Sequence, residues 1–92
     1  MSMVLDIGCK GEKYLIAITR SNGRVELSIH DSSDLALYSS LWSDDINSFM
    51  LSSIPRECKE MLASKLGQAK AKANDTLLEG LIEKAISTLK SL

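Results

Sequence analysis

The sequence is poor in the residues that most often carry chemistry. It holds one histidine, one proline, one tryptophan and two cysteines in 92 residues. Cys9 and Cys58 stand far apart, with no CxxC pair and no Cys/His spacing, so zinc-finger and thioredoxin-type patterns are excluded. The expectation is two reduced thiols in a cytosolic chain, with a disulfide or a metal site as the alternative. No apolar run is long enough to span a bilayer. The opening MSMVLDIG lacks the basic start and long apolar core of a signal peptide, so a cytoplasmic location and no membrane partner are expected. An excess of one charge is missing too. The net charge is −1 and the pI about 5.7, a balance that argues against a dedicated nucleic-acid coat. There is no internal repeat and no low-complexity tract.

Motifs for cofactors are absent as well. Gly8-x-x-Gly11 follows a strand, but a phosphate loop needs GxxxxGK[ST] opening a helix, and a dinucleotide site needs GxGxxG within a βαβ unit. Here the loop leads into a second strand and reads as a turn. Cys9 and His30 are the only candidates for a thiol nucleophile and its base. Such a pair needs an oriented base within hydrogen-bond reach, and nothing in the spacing supplies one. No catalytic, cofactor-binding or metal-ligating residue is assigned, and the protein is expected not to be an enzyme.

What is present is a clear pattern of elements. With 45% apolar and 25% charged residues, the chain reads as one small globular domain over 1–92 with a modest core. Its organising stretch is Lys13 to Asp31, a β-hairpin closed on Asn22-Gly23. A type I′ turn needs positive φ at both central residues, which Asn tolerates and Gly adopts freely. Counting outward pairs Arg20 with Val25, Ile18 with Leu27 and Ile16 with Ile29. One face then carries Tyr14, Ile16, Ile18, Val25, Leu27 and Ile29. The other carries Leu15, Ala17, Thr19, Glu26, Ser28 and His30. A slip by one residue would set an apolar face against a polar one, so turn and pattern specify one register.

Ser2 to Ile7 reads as a first strand with Met3, Leu5 and Ile7 on one face. Asp31 to Asp34 is a polar break. Leu35 to Leu41 is ambiguous: it alternates like a short fourth strand, yet Leu35, Tyr38, Trp42, Ile46, Phe49 and Met50 also share a helical face. The strand is favoured, followed by a helix from Asp44 to Ser52 capped by Ser43. Pro55 suits the first position of the next helix, which carries the stripe Cys58, Met61, Leu62, Leu66, Ala69 and Ala73. A second stripe follows: Leu77, Leu78, Leu81, Ile82, Ala85, Ile86 and Leu89. On a continuous helix the stripe centres would differ by roughly 170°. A break at Asn74-Asp75-Thr76 is therefore expected, with Thr76 and Glu79 as a capping box. One long helix that shares its two faces between two neighbours is the alternative. The fold class is α+β: an antiparallel three- or four-stranded meander over 1–40, packed against two or three C-terminal helices over 43–92.

Charge is unevenly placed. Asp31, Asp34, Asp44 and Asp45 lie in a stretch without Lys or Arg, and with Trp42 they form the expected partner-binding surface. The alternative explanation of these aspartates is helix caps and turns. Arg56, Lys59, Lys65, Lys70 and Lys72 then stand against Glu57 and Glu60. Lys65, Lys70 and Lys72 lie off the apolar stripe and are expected to be exposed. A basic helix over 56–72 could follow a phosphate backbone through Lys59, Lys65, Lys70 and Lys72. Trp42, Tyr38 and Phe49 are core or an interface anchor. The final helix spreads its apolar positions over a wide arc, which raises a homodimer through that helix as a further alternative.

The succession of meander, acidic-capped short helix, Pro55 and basic helix resembles, in layout, small phage-encoded inhibitors such as anti-CRISPR proteins. No motif accompanies the likeness, and no site residue is carried over from it. The expected function is a non-enzymatic protein-binding module, an inhibitor or adaptor acting by surface occlusion. A small nucleic-acid binder and a homo-oligomeric regulatory protein are the alternatives.

Overall fold

Alternation and turn chemistry build the sheet as expected. In a computed structural model that describes residues 2–21, 23–41, 44–47 and 49–91, with backbone alone at 2, 21, 44–47 and 49, five strands follow one another in order. They are β1 (Ser2–Cys9), β2 (Glu12–Ser21), β3 (Arg24–His30), β4 (Ala36–Leu41) and β5 (Asp44–Asn47). All neighbours are antiparallel. The β2–β3 register is the one counted from the turn, with Ile16 opposite Ile29, Ile18 opposite Leu27 and Arg20 opposite Val25. Gly23 has φ +76°, as the turn requires, and Asn22 lies outside the described residues.

A 3₁₀ helix over Phe49–Ser53 leads to α1 (Arg56–Ala71) and α2 (Thr76–Lys90). Among the described residues 56–91 the chain thus forms two α-helices where one long helix was the alternative. α1 packs on β1 and on α2, while α2 packs on β3 and β4. Both lie against the face bearing Tyr14, Ile16, Ile18, Val25, Leu27 and Ile29, each of which is buried. Leu62, Leu66, Leu81, Ile82 and Leu89 meet that face and are buried with it. Truncating one of these leucines to alanine costs about 2–5 kcal/mol. Among the described residues no helix packs on the opposite sheet face: Val4 is exposed there, while Leu15, Ala17, Ser28 and His30 are half-buried.

Three local expectations change. The helix expected from Asp44 to Ser52 is instead β5 and the 3₁₀ helix, so the acidic-capped short helix of the inhibitor-like layout is not formed. Pairing of Leu41 with Asp44 and of Ser40 with Asp45 outweighs local helix signals there, because the free edge of β4 offers backbone partners. Ser43, its expected cap, lies outside the described residues. Second, Asp75 rather than Thr76 caps α2, its carboxylate accepting from the Leu77 amide at 3.0 Å. Third, Pro55 sits one residue before α1, at the cap position. Of the α2 stripe, Leu78, Leu81, Ile82, Ala85 and Leu89 are buried between α1 and the sheet, which accounts for its wide arc within one chain. Leu77 is left 47% exposed.

The largest revision concerns the cysteines. Cys9 and Cys58 form a disulfide with Cα atoms 5.7 Å apart, so neither is a reduced thiol. Their distance in sequence hid a closeness in space: the β1–β2 turn lies beside the first turn of α1. That separation is within the range a disulfide spans.

Candidate functional site

At one end of the sheet, a tight turn, a polar loop and the entry to α1 converge. Lys10 and Gly11 close the β1–β2 hairpin with φ of +53° and +79°. Two central residues with positive φ make the turn whose twist suits a hairpin. Lys10 ion-pairs with Glu57 of α1 at 2.5 Å.

The β3–β4 loop is held by its own first residue. The Asp31 carboxylate accepts from the Ser33 and Leu35 amides, each at 2.9 Å. The Asp31 amide donates to the Leu35 carbonyl at 3.0 Å, and the Asp34 amide to the Asp31 carbonyl at 3.0 Å. Asp34 takes a left-handed conformation with φ +63°. His30 stands beneath, its Nε2 2.9 Å from the Ser28 hydroxyl and its Nδ1 3.3 Å from the Asp34 carboxylate. The loop is thus a shaped projection. It exposes the Asp34 carboxylate and the Leu35 side chain, the latter 48% accessible.

Beside it lies a hollow of about 350 Å³ lined by Cys9, Lys10, Glu12, Tyr14, Asp31 and Leu37, with Ser53, Ile54 and Pro55 closing the helical side. The Tyr14 residue is 5% accessible, its ring packed into the core; among the described residues the buried side-chain polar atom without a partner is Ser40 Oγ. Burial, then the charges of Glu12 and Asp31, push the Tyr14 phenol above its usual range, so it keeps its proton. Glu12 accepts from the Ser32 hydroxyl at 3.2 Å.

The expected partner surface is divided by this geometry. Asp31 and Asp34 share the loop. Asp44 pairs with Leu41, at the far end of β4 from Ala36 and the loop, about 16 Å away along the strand. Asp45 pairs with Ser40, one step nearer. Trp42 lies outside the described residues.

The lysines divide as well. Lys59 lines a groove against α2 with Arg56, Glu60, Leu89 and Lys90, and Lys70 ion-pairs with Glu83 of α2. Lys65 and Lys72 flank a separate hollow against β1 with Met3 and Leu5. At 100° per residue the centres of the two pairs fall roughly 140° apart around α1. Lys65 and Lys70 are half-buried where exposure was expected, because each lies along a packed neighbour; Lys72 is exposed.

The pair weighed for thiol chemistry is not formed. Cys9 is bonded to Cys58, and the register sets Cys9 and His30 on opposite faces of the sheet. No three His, Cys, Asp or Glu side chains gather as a metal site among the described residues.

Tyr14 and Glu12 were not picked out by the sequence, which presents them as ordinary strand positions. The signal was nonetheless there. Continuing the hairpin count one step past Leu15 and His30 brings Asp31 opposite Tyr14. No family model, no curated protein and no solved structure matches this chain.

Proposed function

We propose that the protein is a non-enzymatic protein-binding module, an inhibitor or adaptor that occupies a surface of a basic partner through the loop end of its sheet. The observation that carries this reading is the β3–β4 loop, where Asp31 holds the backbone while Asp34 and Leu35 project into solvent. A projection already shaped before contact loses little conformational freedom on binding. An exposed leucine beside a carboxylate combines an apolar anchor with a charge that selects the partner. The phage-inhibitor likeness adds little support, since one element of its layout is a strand. A nucleic-acid track along α1 is less well supported, because Lys59 and Lys70 lie on the flank away from Lys65 and Lys72.

The experiment is capture from the native source, run with nuclease, using three forms of the oxidised chain. Wild type and Lys65→Glu/Lys72→Glu should retain the same stoichiometric protein partner, and Asp34→Lys/Leu35→Asp should lose it. Loss with the lysine variant and retention with the loop variant would transfer the function to α1.

Compartment is part of the same proposal. Among the described residues no helix is long and apolar enough to cross a membrane. Disulfides persist in oxidising surroundings and are rare in a reducing cytoplasm. The closed Cys9–Cys58 bond favours an oxidising setting over the cytoplasmic one expected from the sequence. Thiol alkylation after acid quench decides it: unmodified cysteines indicate the closed bond, and two added labels indicate a reducing compartment.

A further inference from the structure

We infer that the outer edge of β1, with the flank of α1 beside it, is a docking site for an acidic, extended segment of a protein, taken up as a sixth strand. The site is separate from the β3–β4 loop and stands whether or not that loop engages a partner. Among the described residues β1 and β5 are the two edges of the sheet. β5 has four residues, pairs across a register shift and carries Asp44 and Asp45, features that discourage further pairing. β1 lacks these protections: it runs eight residues in unbroken register, and its one charge is Asp6. The two-residue turn at Lys10-Gly11 makes Cys9 and Glu12 a hydrogen-bonded pair, and alternation then directs the backbone groups of Met3, Leu5 and Ile7 to β2. Those of Val4, Asp6 and Gly8 point outward, and none is bonded among the described residues.

Charge selects the occupant. Beside the edge, Met3 and Leu5 share a hollow of about 210 Å³ with Lys65, Gln68, Ala69 and Lys72 of α1. No carboxylate lines it, and neither lysine makes an ion pair among the described residues. Met61, 44% exposed, continues the same helical flank. An added antiparallel strand would hydrogen-bond to Val4, Asp6 and Gly8. Its side chains opposite Met3, Leu5 and Ile7 would then face α1. Lys65 and Lys72 stand about 10 Å apart along the helix, so carboxylates four residues apart on such a strand come within reach of both flexible side chains. A second copy fits poorly. Its β1 offers only apolar side chains at those positions, and its own Lys65 and Lys72 would approach these lysines.

The test is an NMR titration of the oxidised full chain with the peptide acetyl-Thr-Glu-Thr-Val-Thr-Glu-Thr-amide, against its counterpart with glutamine for glutamate. The glutamate peptide should give saturable shifts at the amides of Val4, Asp6 and Gly8 and along 61–72, with Ser33 and Leu35 unmoved. The glutamine peptide should bind about tenfold more weakly, the value of two surface ion pairs, and Lys65→Glu/Lys72→Glu should weaken the glutamate peptide at least as much. Methylation of the peptide backbone separates strand addition from attraction between charges alone. Methyl groups on the two central threonine nitrogens, which would face β1, should abolish binding; methyl groups on the glutamate nitrogens, which face away, should leave it. Equal binding of the two charge forms, or equal effects of the two methylations, would overturn the site. So would the absence of saturable shifts at the edge amides. Sedimentation of the free chain as a dimer, with those amides protected as concentration rises, would give the edge to a second copy and overturn the acidic strand.

Discussion

Asp75 shows how much one side chain can organise. One carboxylate oxygen caps α2 through the Leu77 amide, and the other accepts from Arg20 at the end of β2. Replacing it with alanine removes both, and chemical denaturation should show a loss of about 1–2 kcal/mol from the cap, with a smaller addition from the ion pair. Asp75→Asn keeps a capping oxygen and should recover most of that loss. Equal destabilisation by the two variants would show that the ion pair, not the cap, is the larger effect. Tyr14 makes a prediction in pH. Its folded pKa is raised, so the folded state holds the phenolic proton more tightly than the unfolded chain does. Stability from this group is complete below the unfolded value of about 10 and falls as pH rises through the folded pKa. Denaturation midpoints should therefore drop more steeply above that pH in wild type than in Tyr14→Phe; parallel curves would contradict the assignment. Neither role was evident in the sequence. Asp75 was legible only as part of a helix break, since a cap oxygen from Asp75 and one from Thr76 satisfy similar local patterns. Tyr14 was legible as a core tyrosine, but strand periodicity does not show the charges of Glu12 and Asp31 that act on its phenol.

At the scale of elements, strong local signals were sufficient where chain neighbours also pair. The β2–β3 register followed from one turn and two alternating faces. The break between α1 and α2 followed from stripes that could not share one helical face. The stretch from Asp44 to Ser53 was not legible, because an edge strand draws its stability from a neighbour's backbone rather than from its own pattern. The β1–β2 turn offers a direct check. Lys10 has positive φ, which is costly for a side chain of its kind. Lys10→Asn should raise stability by about 0.5–1 kcal/mol, because Asn visits that region readily and the exposed pair with Glu57 contributes little. Destabilisation beyond the value of a surface pair would mean that Lys10 does more than close the turn.

For the whole molecule, the disulfide is the feature least visible from sequence and the largest in consequence. Cys9 and Cys58 tie the sheet to α1 across a sequence separation of 49. Closing a loop of that length stabilises by about 4 kcal/mol in the chain-entropy model. Cys9→Ala/Cys58→Ala, or reduction with a dithiol, should lower stability by up to that amount and loosen the hollow that Cys9 lines. An unchanged midpoint on reduction would mean that the two ends are held without the bond. Separation in sequence carries no information on this pairing until the turn and α1 are packed together. The function depends on the same convergence: the β1–β2 turn, the β3–β4 loop and the start of α1 make one acidic end, whereas the aspartates of β5 stand at the other.

The measurement that bears most directly on that account is hydrogen–deuterium exchange of the oxidised full chain, with and without the captured partner. Protection concentrated in peptides covering 9–14, 31–37 and 53–58, with 59–72 unchanged, is the result predicted for binding through the loop end of the sheet. Protection along 59–72 with 31–37 unaffected would contradict it and place the partner on the lysines of α1.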